Sequence, residues 1–277
     1  MSGDRRQPRP RNRRIGARLR AIRRQRTDLS LEAAAELLGW SPATLSRTEN
    51  GNREISTEEV ASLVTAYKLP AAERAEIIQD ARAENSAGWW DRPLPGVPEE
   101  VGVLASYAAE ANSLTDWAVM IVPGLLQVES YAMAVWQSEG IIEEDAQLCW
   151  VARKRRQKIL GNLDYTAFIH EAALHNPFGG RDAHREQLAH LAGARERGIA
   201  VRVVPRGLPY SVVSHSWLYM TFPNMSPVVN VEVASGGVYL FDDQAKLYTD
   251  KVNLLNELAL PSEKSTALLR SLAKEIR

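Results

Sequence analysis

The sequence contains little that would mark a secreted, membrane-bound or disulfide-linked protein. Its single cysteine, Cys149, has no second cysteine with which to form a disulfide. The most apolar stretch, residues 119–126, is interrupted by Pro123-Gly124 and is far shorter than the roughly 20 residues that a membrane-spanning helix needs. No apolar segment follows the basic N-terminal residues, as a secretory signal would require. We therefore expect a cytoplasmic protein with no membrane partner.

The residue spacings that are typical of metal and catalytic sites are also missing. His170 and His175 are five residues apart, whereas two zinc ligands on one helix face need a spacing of four. Cys149 lies next to Trp150 and Val151 and is expected to pack against apolar neighbours. No matched set of acid, base and nucleophile is evident. We expect no metal, no cofactor and no enzymatic activity.

The net charge of zero conceals a strong asymmetry along the chain. Residues 1–26 contain eleven arginines and one acid, Asp4, so this segment carries +10 (11 − 1). The rest of the chain must carry the compensating −10, because the basic and the acidic residues each total 34. Such a basic end is typical of a segment that binds a polyanion such as nucleic acid, but a solvated tail has the same composition.

Apolar periodicity and serine caps divide the N-terminal part of the chain. Residues 1–11 combine arginines with Pro and Gly and show no apolar repeat, so they are predicted to form a disordered basic arm. Residues 12–84 are predicted to form an all-α domain of five helices. These helices are expected from residue 13 and at 31–38, 42–50, 57–67 and 70–84. Residues 85–98 are rich in Pro and Gly and are predicted to be a linker.

Residues 99–277 show the alternating periodicities of a mixed α/β (α+β) domain. Strands are predicted at 117–122, 165–170, 199–204, 217–222, 228–233 and 238–241. Helices are predicted at 99–112, 129–138, 143–160, 182–197, 242–258 and 262–276.

The second and third predicted helices form the pattern of a helix-turn-helix. Gly39 is placed where a left-handed residue closes a helix, and Ser41-Pro42 is placed where a new helix begins. In such a unit the second helix enters the major groove of DNA, and its N-terminal side chains meet the base edges. Arg47 can bond guanine through two hydrogen bonds. The predicted base-reading residues are Ser41, Ala43, Thr44, Ser46 and Arg47.

The segments IGARLRAIRRQ, LSLEAAAELLGWS and PATLSRTENGNR resemble the Xre/Cro family of five-helix DNA-binding domains over Ile15 to Leu69. The resemblance implies phosphate contacts from Asn52 and Arg53, and a buried ion pair between Glu49 and either Arg23 or Arg24. Many relatives have Gln where this sequence has Leu31, so the contact of that Gln to DNA is expected to be absent. The remaining phosphate candidates are two basic residues at the start of the domain, Arg13 and Arg14.

The C-terminal part resembles the uncharacterised, WhiJ-like domain that follows the helix-turn-helix in many actinomycete regulators. The segments YAAEANSLTDW, VPGLLQVESYA, RKRRQKIL and HEAALHNPFGG carry this resemblance, which covers about 170 residues. It implies a regulator that is often encoded beside a small BldB-like partner protein. The residues proposed to meet a partner or ligand are Pro123, Leu125, Gln127, Tyr131 and Glu171. Two alternatives stay open: the turn at 122–126 is simply core, and Glu171 is a structural partner of Arg153, Arg155 or Arg156.

The sequence therefore favours a sequence-specific DNA-binding transcriptional regulator associated with the nucleoid. A homodimer on a palindromic double-stranded operator is expected, because a single small module buries too little surface for strong specificity. The C-terminal domain is expected to sense a small protein partner or a ligand. The alternative is an antitoxin-like interaction module that holds a small BldB-like partner and binds DNA for autoregulation.

Overall fold

The computed structural model describes residues 9–82, 97–207, 214–223, 225–233 and 236–276. The chain divides into two units, residues 1–92 and 93–277, and each is considered by itself. Within the described residues no helix is both long enough and apolar enough to cross a membrane. Most of the predicted linker 85–98, namely residues 85–96, and most of the predicted basic arm, residues 1–8, lie outside the described residues.

The described part of the N-terminal unit, residues 9–82, forms five helices, as the sequence predicts. Their bounds are α1 Pro10–Arg26, α2 Leu31–Glu36, α3 Pro42–Glu49, α4 Thr57–Ala66 and α5 Ala71–Arg82. The prediction of a disordered arm is wrong at residues 10 and 11, which belong to α1. Pro10 occupies the first position of the helix, where its missing N–H has no cost. Arg11 donates from its guanidinium to the carbonyl oxygens of Ile55 (3.0 Å) and Ala81 (2.6 Å), which holds this end of α1 against the unit.

Serine caps define where three of these helices begin. The Ser30 and Ser41 hydroxyl oxygens each accept a hydrogen bond, at 3.1 Å, from the backbone N–H three residues later. Ser56 forms a capping box with Glu59, with distances of 3.2 Å and 3.0 Å for the two reciprocal hydrogen bonds. These local bonds explain why the helix starts could be predicted from the sequence.

The core of the N-terminal unit joins α1, α3 and α4. Its fully buried side chains include Ile15, Leu19, Leu45 and Leu63. Gly16 lets α1 approach α3 closely, since a Cβ at this position would lie 2.3 Å from the Thr48 carbonyl oxygen. The backbone of the third helix is therefore fixed directly on the backbone of the first.

The C-terminal unit contains a six-stranded mixed sheet with the order β3-β2-β1-β4-β5-β6. The strands are β1 Ser113–Ala118, β2 Asp164–His170, β3 Ala200–Val204, β4 Trp217–Phe222, β5 Met225–Val233 and β6 Gly236–Leu240. The neighbours β1, β2 and β3 are parallel, while β4, β5 and β6 are each antiparallel to the preceding strand of the sheet. The mixed α/β class predicted for this unit is confirmed.

Helices cover both faces of this sheet. They are α6 Glu99–Glu110, α7 Glu129–Ser138, α8 Glu143–Gln157, α9 Gly180–Ala192, α10 Asp242–Leu258 and α11 Ser262–Glu275. One face carries Leu114, Met220 and Tyr239, and it packs with residues of α6, α7, α9 and α11. The other face carries Trp117 and Trp217 and packs against α10. Alternate residues of each strand thus serve two separate cores.

One strand lies elsewhere than the sequence predicts. The strand expected at 117–122 is β1, Ser113–Ala118, which begins four residues earlier. The polar residues Thr115 and Asp116 interrupt the apolar pattern that predicts a strand. The apolar residues that follow them led to a predicted strand that begins too late. After β1 the chain leaves the sheet and forms a short 3₁₀ helix, Gly124–Leu126. The pairing of β1 with β2 and β4, rather than local composition, determines where the strand lies.

Candidate functional sites

The turn between α2 and α3 fixes the geometry of the helix-turn-helix. Gly39 has a φ of +66°, a left-handed conformation that glycine adopts without steric cost. The Trp40 N–H donates to the Ala35 carbonyl oxygen at 2.9 Å and closes the end of α2. Ser41 then caps α3 two residues after the glycine. The order of elements predicted from the sequence is therefore present.

The third helix has a buried face and an open face. Leu45, Thr48 and Glu49 are buried against the unit. The predicted base-reading residues lie on the other side of the helix. Ser41, Ala43 and Arg47 are exposed, and Thr44 and Ser46 are half-buried. The structure thus brings these five residues together on one accessible surface, which we call the α3 surface.

The side chains of the α3 surface differ in how far they are already engaged. Ser41 and Thr44 share a hydrogen bond of 2.9 Å between their hydroxyl oxygens, in addition to the cap. Ser46 accepts a hydrogen bond from the Asn50 side-chain amide at 3.4 Å. The Arg47 guanidinium pairs with no carboxylate among the described residues, whereas five other arginines of this unit do: Arg14, Arg18, Arg23, Arg26 and Arg53. Arg47 is therefore the long side chain most available to a base edge.

A buried ion pair supports α3 from beneath. Arg23 donates to both carboxylate oxygens of Glu49, at 2.6 Å and 2.8 Å, and both side chains are at most 8 % exposed. The hydrogen bond with Glu49 raises the pKa of Arg23 above its usual value, although burial opposes this. The Tyr67 hydroxyl also approaches Glu49, at 3.5 Å. The predicted pair is confirmed with Arg23 as the partner, while Arg24 is exposed.

The loop after α3 holds the two phosphate candidates that the resemblance implied. Asn52 is exposed, and its backbone N–H donates to the Arg47 carbonyl oxygen at 2.8 Å. Arg53 is half-buried and donates to Glu59 and to the Thr48 hydroxyl. Its guanidinium also lies 5.1 Å from the centre of the Trp40 ring. A phosphate would thus meet an Arg53 that is already oriented by three partners.

The other two phosphate candidates are placed differently from the prediction. Arg13 is only 8 % exposed and donates to the Asn50 carbonyl oxygen at 2.7 Å, so it holds the end of α3 and is not on the surface. Arg14 forms an ion pair of 3.1 Å with Asp80. The assignment of Arg13 as a phosphate contact is therefore wrong, because its side chain is buried. Arg14 is half-buried and paired, as Arg53 is, and its phosphate contact stays a prediction. The physical reason for both contacts is that α1 packs against both α3 and α5. Arginines near the start of α1 therefore bond to acceptors of the protein, the Asn50 carbonyl oxygen and the Asp80 carboxylate.

A series of ion pairs between α1 and α5 uses part of the positive charge of the N-terminal segment. Arg14 pairs with Asp80 at 3.1 Å, Arg18 pairs with Glu76 at 2.8 Å, and Arg26 pairs with Glu73. The acids at 73, 76 and 80 have the spacing of one helix face, which is the signal that sequence reasoning overlooked. The charge of +10 at residues 1–26 is therefore not all available to a polyanion.

The turn proposed as a partner or ligand surface in the C-terminal unit belongs to the core. Pro123, Leu125, Gln127 and Tyr131 are all buried, so the alternative interpretation of this segment is correct and its assignment as a binding surface is wrong. Burial also raises the pKa of Tyr131 to about 12.

Buried glutamines explain how this turn can lie inside the protein. The Gln127 side-chain amide donates to the Val122 carbonyl oxygen at 2.8 Å. Gln187 of α9 accepts from the Val128 N–H at 2.9 Å and donates to the Leu126 carbonyl oxygen at 2.8 Å. These side chains satisfy backbone groups of Val122, Leu126 and Val128, which need no water as a partner.

Glu171 has a structural environment with different partners from those expected. It accepts from the Arg206 backbone N–H at 3.1 Å, and it lies 3.4 Å from the Arg206 guanidinium and 3.6 Å from the His175 ring. Partial burial would raise the pKa of Glu171, but the Arg206 and His175 contacts outweigh it, and the pKa is lowered. The partners predicted for this acid, Arg153, Arg155 and Arg156, are not its partners in the structure.

A polar cluster that sequence reasoning missed lies on the sheet face beneath α8. Asp116 of β1 accepts a hydrogen bond of 3.2 Å from the Tyr165 hydroxyl of β2. Burial, together with the charge of Glu232, raises the pKa of Asp116 to about 7. Arg156 of α8 faces these groups, and burial lowers its pKa. The sequence did not reveal Asp116 as part of a strand, because the strand was predicted to begin at residue 117 and not at Ser113.

Comparisons with known families agree with the two units. Residues 14–77 match a helix-turn-helix domain, and residues 101–271 match a domain of unknown function, DUF5753. Comparison with curated proteins and with solved structures gives no match. The helix-turn-helix match supports a DNA-binding regulator. Because residues 101–271 are more than half of the 277 residues, the chain belongs to the family of proteins that carry the DUF5753 domain.

Proposed function

We propose that the protein is a sequence-specific DNA-binding transcriptional regulator of the Xre/Cro type, which acts as a homodimer on a palindromic operator. The observation that carries this proposal is the α3 surface, where Arg47 is exposed while Leu45, Thr48 and Glu49 on the opposite side are buried. A helix presented in this way fits the width of the major groove of DNA.

The chemistry of the α3 surface supports base reading. A guanidinium is the side chain that most often reads guanine, through its O6 and N7 atoms. Ala43 and the methyl group of Thr44 offer apolar contact to the methyl group of thymine. The capped start of α3 adds backbone N–H groups that favour a phosphate nearby. Asn52 and Arg53, in the loop after α3, are proposed to contact the DNA backbone.

The proposal extends to dimerisation and to the C-terminal unit. One helix-turn-helix reads a short half-site, so strong specificity requires a second copy on the same operator. We assign to the C-terminal unit the role of sensing a ligand or a small partner protein. The proposed location of the protein is the nucleoid within the cytoplasm.

Substitution of Arg47 tests the base-reading assignment. The preferred operator is first selected from random DNA with the wild-type protein, and affinities are then measured at fixed salt. Arg47→Ala is expected to lose about 1–3 kcal/mol of binding free energy on this operator and to relax the preference at one base pair of each half-site.

Arg24→Ala is the matched control, because Arg24 is an exposed arginine of the same unit that lies outside the α3 surface. This variant should keep the base preference at every position. If Arg47→Ala keeps the same preference too, the α3 surface does not read bases and the proposed function is wrong.

A further inference from the structure

The polar cluster occupies one row of the sheet. Asp116 of β1 lies opposite Leu218 of β4, and Leu218 lies opposite Asn230 of β5. Asn230 in turn lies opposite Tyr239 of β6. Residues that are paired across neighbouring strands point to the same face, and Tyr165 reaches Asp116 from β2. Polar groups from β1, β2, β5 and β6 therefore lie on the same face of the sheet as the apolar residues Leu114 and Met220.

Helix α8 directs two arginines toward this row, and the first is held in place by protein groups. The Arg153 guanidinium lies 4.4 Å from the centre of the Trp136 ring and donates to the Gln127 side chain. A Cβ at position 124 would lie 3.3 Å from its central carbon, so Gly124 leaves room for it. Arg153 is therefore a fixed positive charge, whose pKa burial lowers to about 10.

The second arginine, Arg156, lacks such partners. Its Nε is buried and has no hydrogen-bond partner among the described residues. It interacts electrostatically with Glu232, Tyr239, Asp116 and Tyr165, yet no ion pair links it to a carboxylate in the part of the chain that the structure describes. An unsatisfied buried donor costs about 1–3 kcal/mol, and more when it is charged. Arg156 thus keeps an unused hydrogen-bond donor near two carboxylates, and the oxygen of a bound anion can accept from it.

We propose that this cluster binds a small organic acid, whose carboxylate or phosphate group lies on Arg156 and whose hydroxyl or amino group lies against Asp116. The planar guanidinium matches either anionic group through two parallel hydrogen bonds. Asp116 and Arg156 are half-buried, so each side chain keeps some exposure to solvent although the Arg156 Nε itself is buried.

An aromatic wall beside the cluster favours an organic ligand over a hydrated inorganic ion. Tyr239 stacks on Tyr107 with ring centres 5.2 Å apart, and Phe241 lies 6.4 Å from Tyr239. Tyr107 and Tyr239 are buried and Phe241 is half-buried, so Phe241 is the ring of this group on which an apolar part of the ligand can pack. This inference rests on the proposed function, since the ligand would be the effector that the C-terminal unit senses.

Nitrogen NMR of the full-length protein tests this inference at the atom on which it depends. The protein is labelled with ¹⁵N-arginine, and the Arg156 Nε signal is assigned by its disappearance in Arg156→Lys. The probes are acetate, benzoate, inorganic phosphate and phenyl phosphate, titrated separately. We expect a saturable shift of the Arg156 signal with one of the two aromatic anions. Benzoate should bind at least tenfold more tightly than acetate, or phenyl phosphate at least tenfold more tightly than inorganic phosphate. Binding of benzoate indicates that the site takes a carboxylate, and binding of phenyl phosphate indicates that it takes a phosphate group.

Two variants separate binding at the cluster from general attraction to a basic helix. Arg156→Gln should weaken the binding of the organic anion at least tenfold, whereas Lys154→Gln should leave it unchanged. Lys154 is exposed on the same helix, so the two substitutions remove the same charge. Circular dichroism of each variant verifies that the helices and the sheet are retained. Absence of a saturable shift with all four probes, or equal weakening by both variants, would overturn the inference.

A failure of the ligand-binding inference can be distinguished from a failure of the proposed function. Operator binding is measured with the same preparation. Protein that binds its operator but none of the anions contradicts only the ligand site, whereas protein that binds an organic anion but no DNA contradicts the regulator.

Discussion

At the scale of single residues, arginine serves three different purposes in the N-terminal unit. Arg23 is buried in a bidentate pair with Glu49, where removal of one partner would leave an uncompensated charge. Arg11 donates to the carbonyl oxygens of Ile55 and Ala81. Arg47 is exposed, with no carboxylate partner among the described residues. The amino-acid composition does not distinguish these three arginines. Their contacts in the folded structure show which one is available to bind DNA.

Asp116 provides a prediction about the pH dependence of stability. Its pKa is raised to about 7 by burial and by the charge of Glu232, against the effects of Tyr165 and Arg156. The folded protein therefore binds a proton between about pH 4 and pH 7 that the unfolded chain has released. The stability that this proton provides is lost as the pH rises through about 7. We expect a decrease on the order of 1–3 kcal/mol in the free energy of unfolding of the C-terminal unit.

Urea unfolding at pH 5 and at pH 8 measures this effect, with hydrogen exchange at β1 and β2 as the probe of the C-terminal unit. Asp116→Asn is the matched variant, because it keeps the shape of the side chain and removes the titration. The difference between the two pH values should be smaller in Asp116→Asn than in the wild type. If both proteins show the same difference, Asp116 does not titrate as its environment implies.

At the scale of secondary-structure elements, the contact between α1 and α3 is the most sensitive point of the N-terminal unit. Gly16→Ala would place a Cβ 2.3 Å from the Thr48 carbonyl oxygen and 3.0 Å from that of Glu49. These are backbone atoms and cannot rotate away, so α3 must shift. We expect a loss of about 3 kcal/mol or more in stability, together with weaker operator binding, because the same helix carries the α3 surface.

Gly39→Ala is the control for this substitution. Nothing lies within 4 Å of a Cβ at position 39, so only the left-handed φ of +66° opposes the change. This strain costs about 1–2 kcal/mol. Thermal unfolding of the two variants should show the larger loss for Gly16→Ala. Equal losses would mean that α1 and α3 can separate without cost, contrary to the packing described above.

The sequence predicts those elements whose signals are local. Strand β4, Trp217–Phe222, and helix α10, Asp242–Leu258, have the bounds that their own patterns indicate. The starts of α2, α3 and α4 are determined by serine caps. For β1 the local pattern was misleading, since its position depends on pairing with strands about 50 and 100 residues away.

The same holds for the candidate sites: local sequence signals predict some of them, and contacts between distant segments determine the others. The α3 surface could be predicted because a cap and a helical period place its residues on one side. The role of Arg14 could not, because its partner Asp80 is brought near only by the packing of α5 on α1. Likewise, the sequence left open whether the turn at 122–126 is core or a binding surface, because the residue that satisfies its backbone, Gln187, comes from another helix. Contacts between distant segments decide these assignments.

At the scale of the whole molecule, the basic N-terminal residues should add affinity that does not depend on DNA sequence. Deletion of residues 1–8 removes Arg5 and Arg6 and leaves α1 intact, since α1 begins at Pro10. If both arginines contact phosphates, the slope of log affinity against log salt should become shallower by up to about 1.8, at about 0.9 per contact.

Titrations of operator and of unrelated DNA at several salt concentrations measure this slope. Arg18→Gln is the control, since Arg18 is already paired with Glu76 and should leave the slope unchanged. A deletion that does not alter the slope would show that residues 1–8 are a solvated tail.

The last prediction concerns coupling between the two units. A ligand that binds the polar cluster can change operator affinity only if it binds one state of the protein more tightly than another. A hundredfold change in operator affinity requires about 2.7 kcal/mol of coupling free energy, which is within the usual range for allosteric proteins. Thermodynamic linkage makes the effect reciprocal, so operator DNA must change the affinity for the ligand by the same factor.

Calorimetry of the full-length protein measures both halves of this cycle. The organic anion that shifts the Arg156 signal is titrated with and without operator, and the operator is titrated with and without saturating anion. We expect equal factors in the two directions, and no change of operator affinity by the anion in Arg156→Gln. Identical operator affinities with and without anion in the wild type would mean that the C-terminal unit binds its ligand without controlling DNA binding. Its contribution to regulation would then be dimerisation or stability, because neither of these needs a difference in ligand affinity between two states.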